Sequence, residues 1–426
     1  MVSKIQMIIN KKDYKVILEN LISLSTLQVL NNLLPLFTMP YLVRVLGPGK
    51  YGIIAIAQAI MQYLINFTDY GFNLTATKDI SINRHNKDKV NEIFTNVMII
   101  KIFFMIISFL ALLTITFSFQ KFRNDSAIFI LTFGMVIGNV FFPNWFFQGI
   151  EKMKYITYVN LISKLIFTFL VFIFINSKTD YLLVPLFYTM GFIISGIFSM
   201  FLIFKKFNVK IFRPSFLKIK EQLIDGFYVF LSTFILSLYS NTGVVVLGLL
   251  TNNVTVGYYS AGEKIIGALG RMLYPIQQAI FPYMNKITHL SKANGIKFIR
   301  KVSLLVGSFT LFITLLMFTF SEFIITTLLG NNYSNSVNVF KILSLSLFFQ
   351  SIALIFGIQT MLSLGYKKAY SIIIIFAFFL NIFLIYVLSY NFNQNGCATA
   401  VLISEIFIAL STIIYLKFKG INIFKE

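Results

Sequence analysis

The sequence predicts an all-α integral membrane protein, and three observations carry that expectation. Of its 426 residues, 57% are hydrophobic and 12% charged, 50 are Phe, and the mean hydropathy is +0.81. Apolar runs recur from near residue 16 to residue 416. Runs of about 20 such residues cross a hydrocarbon core of about 30 Å, and in lipid only a helix or a closed barrel satisfies its own backbone. Finally, Lys and Arg gather in alternate connections between these runs.

The basic lead-in "MVSKIQMIINKKDYK" precedes a long apolar segment with no small-residue cleavage site, so the first span is expected to be retained. Apolar runs between polar breaks place six helices near 17–43, 51–71, 93–119, 126–148, 156–176 and 181–204. Six more follow near 222–250, 258–283, 302–329, 337–362, 370–390 and 396–416. The breaks alternate in charge. The termini and even-numbered connections hold 26 of the 36 Lys and Arg residues, the odd-numbered ones five, and the odd ones are short and polar, as in "LTNNVTV" and "LGNNYSNSV". The positive-inside rule then puts both termini in the cytoplasm, which requires an even number of spans.

The chain also repeats. "KYGIIAIAQAI" (50–60) aligns with "VGYYSAGEKII" (256–266), Gly52 on Gly257, and "QGIEKMKY" (148–155) with "LGYKKAYS" (364–371). The matches fall at the same places in the two sets of six helices. Two pseudo-symmetric six-helix lobes around a central cavity are therefore expected, residues 1–212 and 213–426, joined by the basic segment around Pro214. Six of the eight prolines (Pro35, Pro40, Pro143, Pro185, Pro275 and Pro282) fall inside spans, where kinks are expected.

Composition excludes several functions. One cysteine, Cys397, and two histidines, His85 and His289, leave no disulfide framework, zinc site or haem ligation, so no cofactor is expected. The formal net charge of +21 sits largely in the connections, which argues for orientation in a membrane and against a nucleic-acid partner. No Walker loop, HExxH helix or nucleophile elbow appears, so the chain is not expected to be an enzyme.

Five cations fall within spans: Lys101, Lys164, Lys264, Arg271 and Lys341. Lys341 stands near a helix start and can snorkel to the interface. Each of the others would cost about 2.5–3.5 kcal/mol facing lipid on insertion scales, so they should face an interior. Lys264 and Arg271, seven residues apart, share one face of the eighth helix. Glu263 points elsewhere, and Glu405 lies near the middle of the twelfth.

The segments "PYLVRVLGPGKYG" (40–52), "DYGFNLTATKDISINRHNKDK" (69–89) and "NWFFQGIEKMKYIT" (144–157) resemble the Wzx O-antigen flippases and related polysaccharide biosynthesis transporters, in order and at the expected spacing. In the C-terminal half the resemblance rests on hydropathy and helix count. It implies membership of the multidrug/oligosaccharidyl-lipid/polysaccharide superfamily, with twelve helices in two lobes around a V-shaped cavity in the bacterial inner membrane. It further implies that the cargo is an undecaprenyl-diphosphate-linked oligosaccharide moved from the cytoplasmic to the outer leaflet. Membrane lipids, a polysaccharide polymerase and chain-length proteins are the implied partners.

A diphosphate stripped of water needs cations. Arg271 and Lys264 are the first candidates to bind it, with Lys101, Lys164 and the motif residue Arg44 behind them. The carboxylates Asp69 and Glu405 are candidates for gating or coupling. Alternatively, the membrane potential would assist outward movement of anions by about 2.3 kcal/mol per charge per 100 mV. Tyr258, Tyr259 and Tyr274 could stack on sugars, while Trp145 and Tyr155 are expected in the interfacial belt. A cation-coupled multidrug exporter of the same fold is the alternative, although it would favour a cavity of carboxylates. A membrane polymerase would need a substantial outside loop or a carboxylate pair to do chemistry, and the longest outside connections are only about ten residues.

Overall fold

The structure, a computed structural model, describes the backbone of residues 11–421 and the side chains of residues 34–421 other than 36, 274–279, 282 and 292. Every regular element in it is helical. Nine helices among the described residues are long and apolar enough to cross a membrane.

The first is α1 (Lys11–Asp69), interrupted at Gly47, whose φ of 71° and ψ of 172° no helix accommodates. A short α2 (Thr75–Asn83) leads to α3 (Lys87–Ser118). The span expected at 126–148 is found as Ser126–Gly149, made up of α4 (Ser126–Thr132), α5 (Gly134–Val140) and α6 (Asn144–Gly149). Pro143, with ψ 84°, separates the last two. Then come α7 (Lys154–Phe174), α8 (Leu183–Phe201), continued by a wider turn over Leu202–Lys206, and α9 (Phe216–Leu250). Pro185 stands in the first turn of α8, where its missing amide hydrogen costs nothing.

The span expected at 258–283 is also broken. It comprises α10 (Asn253–Arg271) and α11 (Tyr274–Leu290), with Pro275 in the first turn of α11. Next are α12 (Lys292–Thr319) and α13 (Ser321–Leu329), divided at Phe320 within the expected ninth span. Finally α14 (Ser336–Ala353) continues through a wide helical stretch to Leu362, and α15 (Lys367–Phe418) ends the described helices. At 52 residues α15 would run about 78 Å unbroken. Asn393, with φ 50° and ψ −130°, breaks it. A Cβ on Gly396 would stand 2.8 Å from the amide nitrogen of Ser389, whereas seven residues along a straight helix span about 10 Å. The chain therefore doubles back there.

The chain forms two compact units. One contains the described residues up to Val45 and Ala57–Asn241; the other contains Leu46–Ile56 and everything from Thr242 onward. In the first, two segments carrying the family resemblance pack on each other. Thr77 donates its hydroxyl to the Trp145 carbonyl at 3.2 Å, Arg84 pairs with Glu151 at 2.6 Å, and a Cβ on Gly149 would press on Ile80 at 2.7 Å. Trp145 is consequently fully buried, against Phe94, and does not belong to an interfacial belt: the break at Pro143 turns α6 inward onto α2. Tyr155 is half-buried, with the Lys206 ammonium 5.0 Å from its ring centre. The basic segment before α9 is strapped to α3, because the amides of Lys210, Phe212 and Ser215 donate to the side chains of Asn91, Thr95 and Asn96 at 3.1, 3.1 and 3.3 Å.

In the second unit the glycines aligned by the internal repeat meet face to face. A Cβ on Gly52 would overlap the Asn253 carbonyl and lie 2.7 Å from the Gly257 nitrogen; one on Gly257 would overlap the Pro48 carbonyl and lie 2.7 Å from its carbon. Each glycine thus meets the residue four before its counterpart. That reciprocity is what a local two-fold relation between the two segments produces, and small residues let helix backbones approach this closely.

Candidate functional site

Arg44, Asp69, Lys101 and Lys164 fall in the first unit; Lys264, Arg271 and Glu405 fall in the second. In the first, α1 stops at Asp69 because Tyr70 and Gly71 adopt left-handed conformations, with φ 43° and 77°. A carboxylate at the C-terminal end of a helix faces the negative pole of the helix dipole and needs donors. Three side chains supply them: Lys101 Nζ at 2.7 Å and Asn139 Nδ2 at 3.1 Å to Oδ1, and Asn73 Nδ2 at 3.2 Å to Oδ2. Lys101 is 1% exposed. Its ammonium ties α3 to the end of α1. Lys164 is half-buried on α7, and Arg44 is exposed three residues before the break at Gly47.

In the second unit Lys264 and Arg271 both stand on α10. Its first turn is capped by Asn252, whose side chain accepts from the Thr255 amide at 2.9 Å. Val256, Ile265 and Ile266 are buried, and the helix packs along α14, where Gly262 and Gly270 face Val339 and Gln350. Arg271 is the last residue of α10, exposed, with its positive charge favourably placed at the negative pole. Lys264 lies half-buried with Nζ 5.1 Å from the centre of the Tyr51 ring, a cation–π contact. Tyr51 is buried, and its hydroxyl has no hydrogen-bond partner among the described residues.

Glu263 is the unexpected member. A Cβ built at Gly267 would lie 3.4 Å from Glu263 Oε1 and 3.8 Å from Arg271 Nη1, so carboxylate and guanidinium border the same glycine. Glu405 is buried on α15, beside Ser404, whose hydroxyl oxygen accepts from Asn381 at 3.0 Å.

The tyrosines that could stack on sugars divide. Tyr259 is buried with its hydroxyl against Gly243, and Tyr258 sets its ring edge-on to Tyr333 at 5.9 Å. The Tyr274 side chain lies outside the described residues. Sequence reading missed Asn73, Asn139, Tyr51 and Gly267, none of which carries a distinguishing local pattern. No group of three or more potential metal ligands occurs among the described residues.

This arrangement of apolar helices with charges held in their interiors is that of a multi-pass membrane transporter. The chain belongs to the polysaccharide biosynthesis protein family, whose pattern it matches over residues 17–288. It is 36% identical over 402 residues, 93% of this chain and 96% of the relative, to a protein of Escherichia coli (strain K12) named "Putative O-antigen transporter". A Shigella dysenteriae protein of the same name is 27% identical over 92% of this chain and 98% of its own. Among solved structures, an inward-facing multidrug resistance MATE family transporter of the MOP superfamily superposes with a TM-score of 0.69, covering 94% of this chain and 98% of that one. The lipid II flippase MurJ, in an inward closed conformation, superposes with a TM-score of 0.64 over 95% and 89%. Both are 14% identical to this chain and share its fold.

Proposed function

We propose that the protein is a flippase that carries undecaprenyl-diphosphate-linked oligosaccharide from the cytoplasmic to the periplasmic leaflet of the bacterial inner membrane by alternating access, with both termini in the cytoplasm. The observation that carries this reading is α10, a mostly apolar helix that keeps Lys264 and Arg271 on one face; the similarity to O-antigen transporters along nearly the whole chain supports it. Arg271 presents a planar fork of donors suited to a phosphate, and Lys264 a mobile point charge. Arg44 and Lys164 line the route of the head group, and Glu405 carries the coupling charge. Lys101 and Asp69 serve by holding the first unit together.

In a strain lacking the gene but with its sugar pathway intact, lipid-linked oligosaccharide should accumulate in the cytoplasmic leaflet, and the restored protein should clear it. Arg271→Ala should lower transport about 10- to 100-fold, the worth of a hydrogen-bonded charge, with Arg271→Glu lower still and both proteins present in the membrane at normal amounts. Normal transport by both variants would refute the role of Arg271. Delivery to the outer leaflet without the protein would point to a polymerase, and no change in the lipid pool to small-molecule export.

A further inference from the structure

Glycine is the least favourable residue but proline for a helix interior, and α10 contains four beyond its first turn. Three are explained by what lies against them: the backbone at Pro48 for Gly257, Val339 for Gly262 and the Gln350 side chain for Gly270. Gly267 is different. Among the described residues no atom of another element comes within 4 Å of its would-be Cβ, and the two atoms that do are the charged tips of Glu263 and Arg271. Packing among the described residues does not require this glycine, and the position a Cβ would take is bordered by an acceptor on one side and a donor on the other, a small notch in the face of the helix.

We propose that this notch binds a sugar hydroxyl of the cargo, an inference that rests on the flippase reading and assigns a carbohydrate subsite within it. A carboxylate only accepts hydrogen bonds and a guanidinium only donates them, whereas a hydroxyl does both. An oxygen in the notch donates to Glu263 and accepts from Arg271, at charge-assisted distances of about 2.7–2.9 Å. A phosphate oxygen fits less well, because Glu263 repels it. Arg271 thus serves both parts of the head group, the diphosphate from one side of its fork and the first sugar from the other, while Glu263 reads the sugar alone.

The test is a binding comparison on the purified full-length protein with two probes: undecaprenyl diphosphate bearing the oligosaccharide extracted from the native strain, and undecaprenyl diphosphate with no sugar. Gly267→Ala fills the notch while making only ordinary contacts, at 3.4 and 3.8 Å, so the helix is preserved. Glu263→Gln keeps the shape and removes the charge. Each should weaken the glycosylated lipid about tenfold or more relative to the bare lipid, the loss of one charge-assisted hydrogen bond; Gly267→Ala should leave the bare lipid unchanged, and Glu263→Gln, which removes a repelling charge, should leave it unchanged or tighten it. Equal weakening of both lipids would assign the notch to the diphosphate and overturn the proposal, as would no weakening of either. If the wild-type protein binds neither lipid, the flippase reading itself falls.

Discussion

Lys101→Met should strip the protein of much of its stability, by about 3–5 kcal/mol, because it leaves the Asp69 carboxylate partly buried at a helix end without its cation. The two amides that remain, Asn139 and Asn73, carry no charge to replace it. Asp69→Asn should be similarly damaging, since an ammonium that is 1% exposed then has no counter-charge. The double variant Asp69→Asn/Lys101→Met removes both charges and should recover most of the loss, as replacement of buried ion pairs by neutral residues often does. Thermal unfolding in detergent measures all three. Transport then separates two roles for Lys101. A structural lysine predicts that the stable double variant still moves cargo, whereas a lysine that meets the diphosphate predicts a stable but inactive protein. The second outcome would return Lys101 to the binding site and reject the account of it as a tie between α1 and α3.

How far the sequence foretold this structure depends on the range of the interaction concerned. Hydropathy is a local property, so the helix expected at 156–176 is found as Lys154–Phe174, and that at 337–362 as the continuous stretch from Ser336 to Leu362. Breaks inside spans were legible only where a residue type announces them. Pro143 does, but Phe320 has nothing in its composition that stops a helix. The break after Arg271 falls within what read as one span, 258–283, and it makes Arg271 the end of a helix rather than its middle. Charged candidates could be named because cations in apolar runs are costly, but their partners could not. Asp69 and Lys101 are 32 residues apart and Asp69 and Asn139 are 70 apart, and neither separation leaves a periodic trace. Trp145 went astray for the same reason: an aromatic at a helix end suits an interface, and only the fold of α6 onto α2 shows that it is core. The alignment of Gly52 with Gly257, by contrast, names two residues that the structure brings together, and the contact between their segments supplies the physical reason that both are glycine.

That contact makes α10 a graded series in which the same substitution should have opposite effects. Gly257→Ala places a methyl group on the Pro48 carbonyl, and Gly52→Ala places one on that of Asn253. Both obstacles are backbone, one of them immediately after the left-handed turn at Gly47, so relief requires the two segments to move apart. Overpacking of this kind costs about 1–3 kcal/mol or more, and here it acts on the junction that holds Leu46–Ile56 to α10. Gly262→Ala and Gly270→Ala meet side chains instead, Val339 at 3.2 Å and Gln350 at 3.0 Å, and those can shift by a few tenths of an ångström at small cost. Gly267→Ala meets nothing tighter than 3.4 Å and gains the helix preference of alanine, about 1 kcal/mol, so it should hold or raise the melting temperature. Unfolding of the alanine series in detergent therefore has a required order: 257 lowest, 262 and 270 near the parent, 267 at or above it. If Gly257→Ala unfolds like the parent, the reciprocal glycine contact is not what joins these segments. If Gly267→Ala unfolds well below the parent, packing explains that glycine and the notch is not an open subsite.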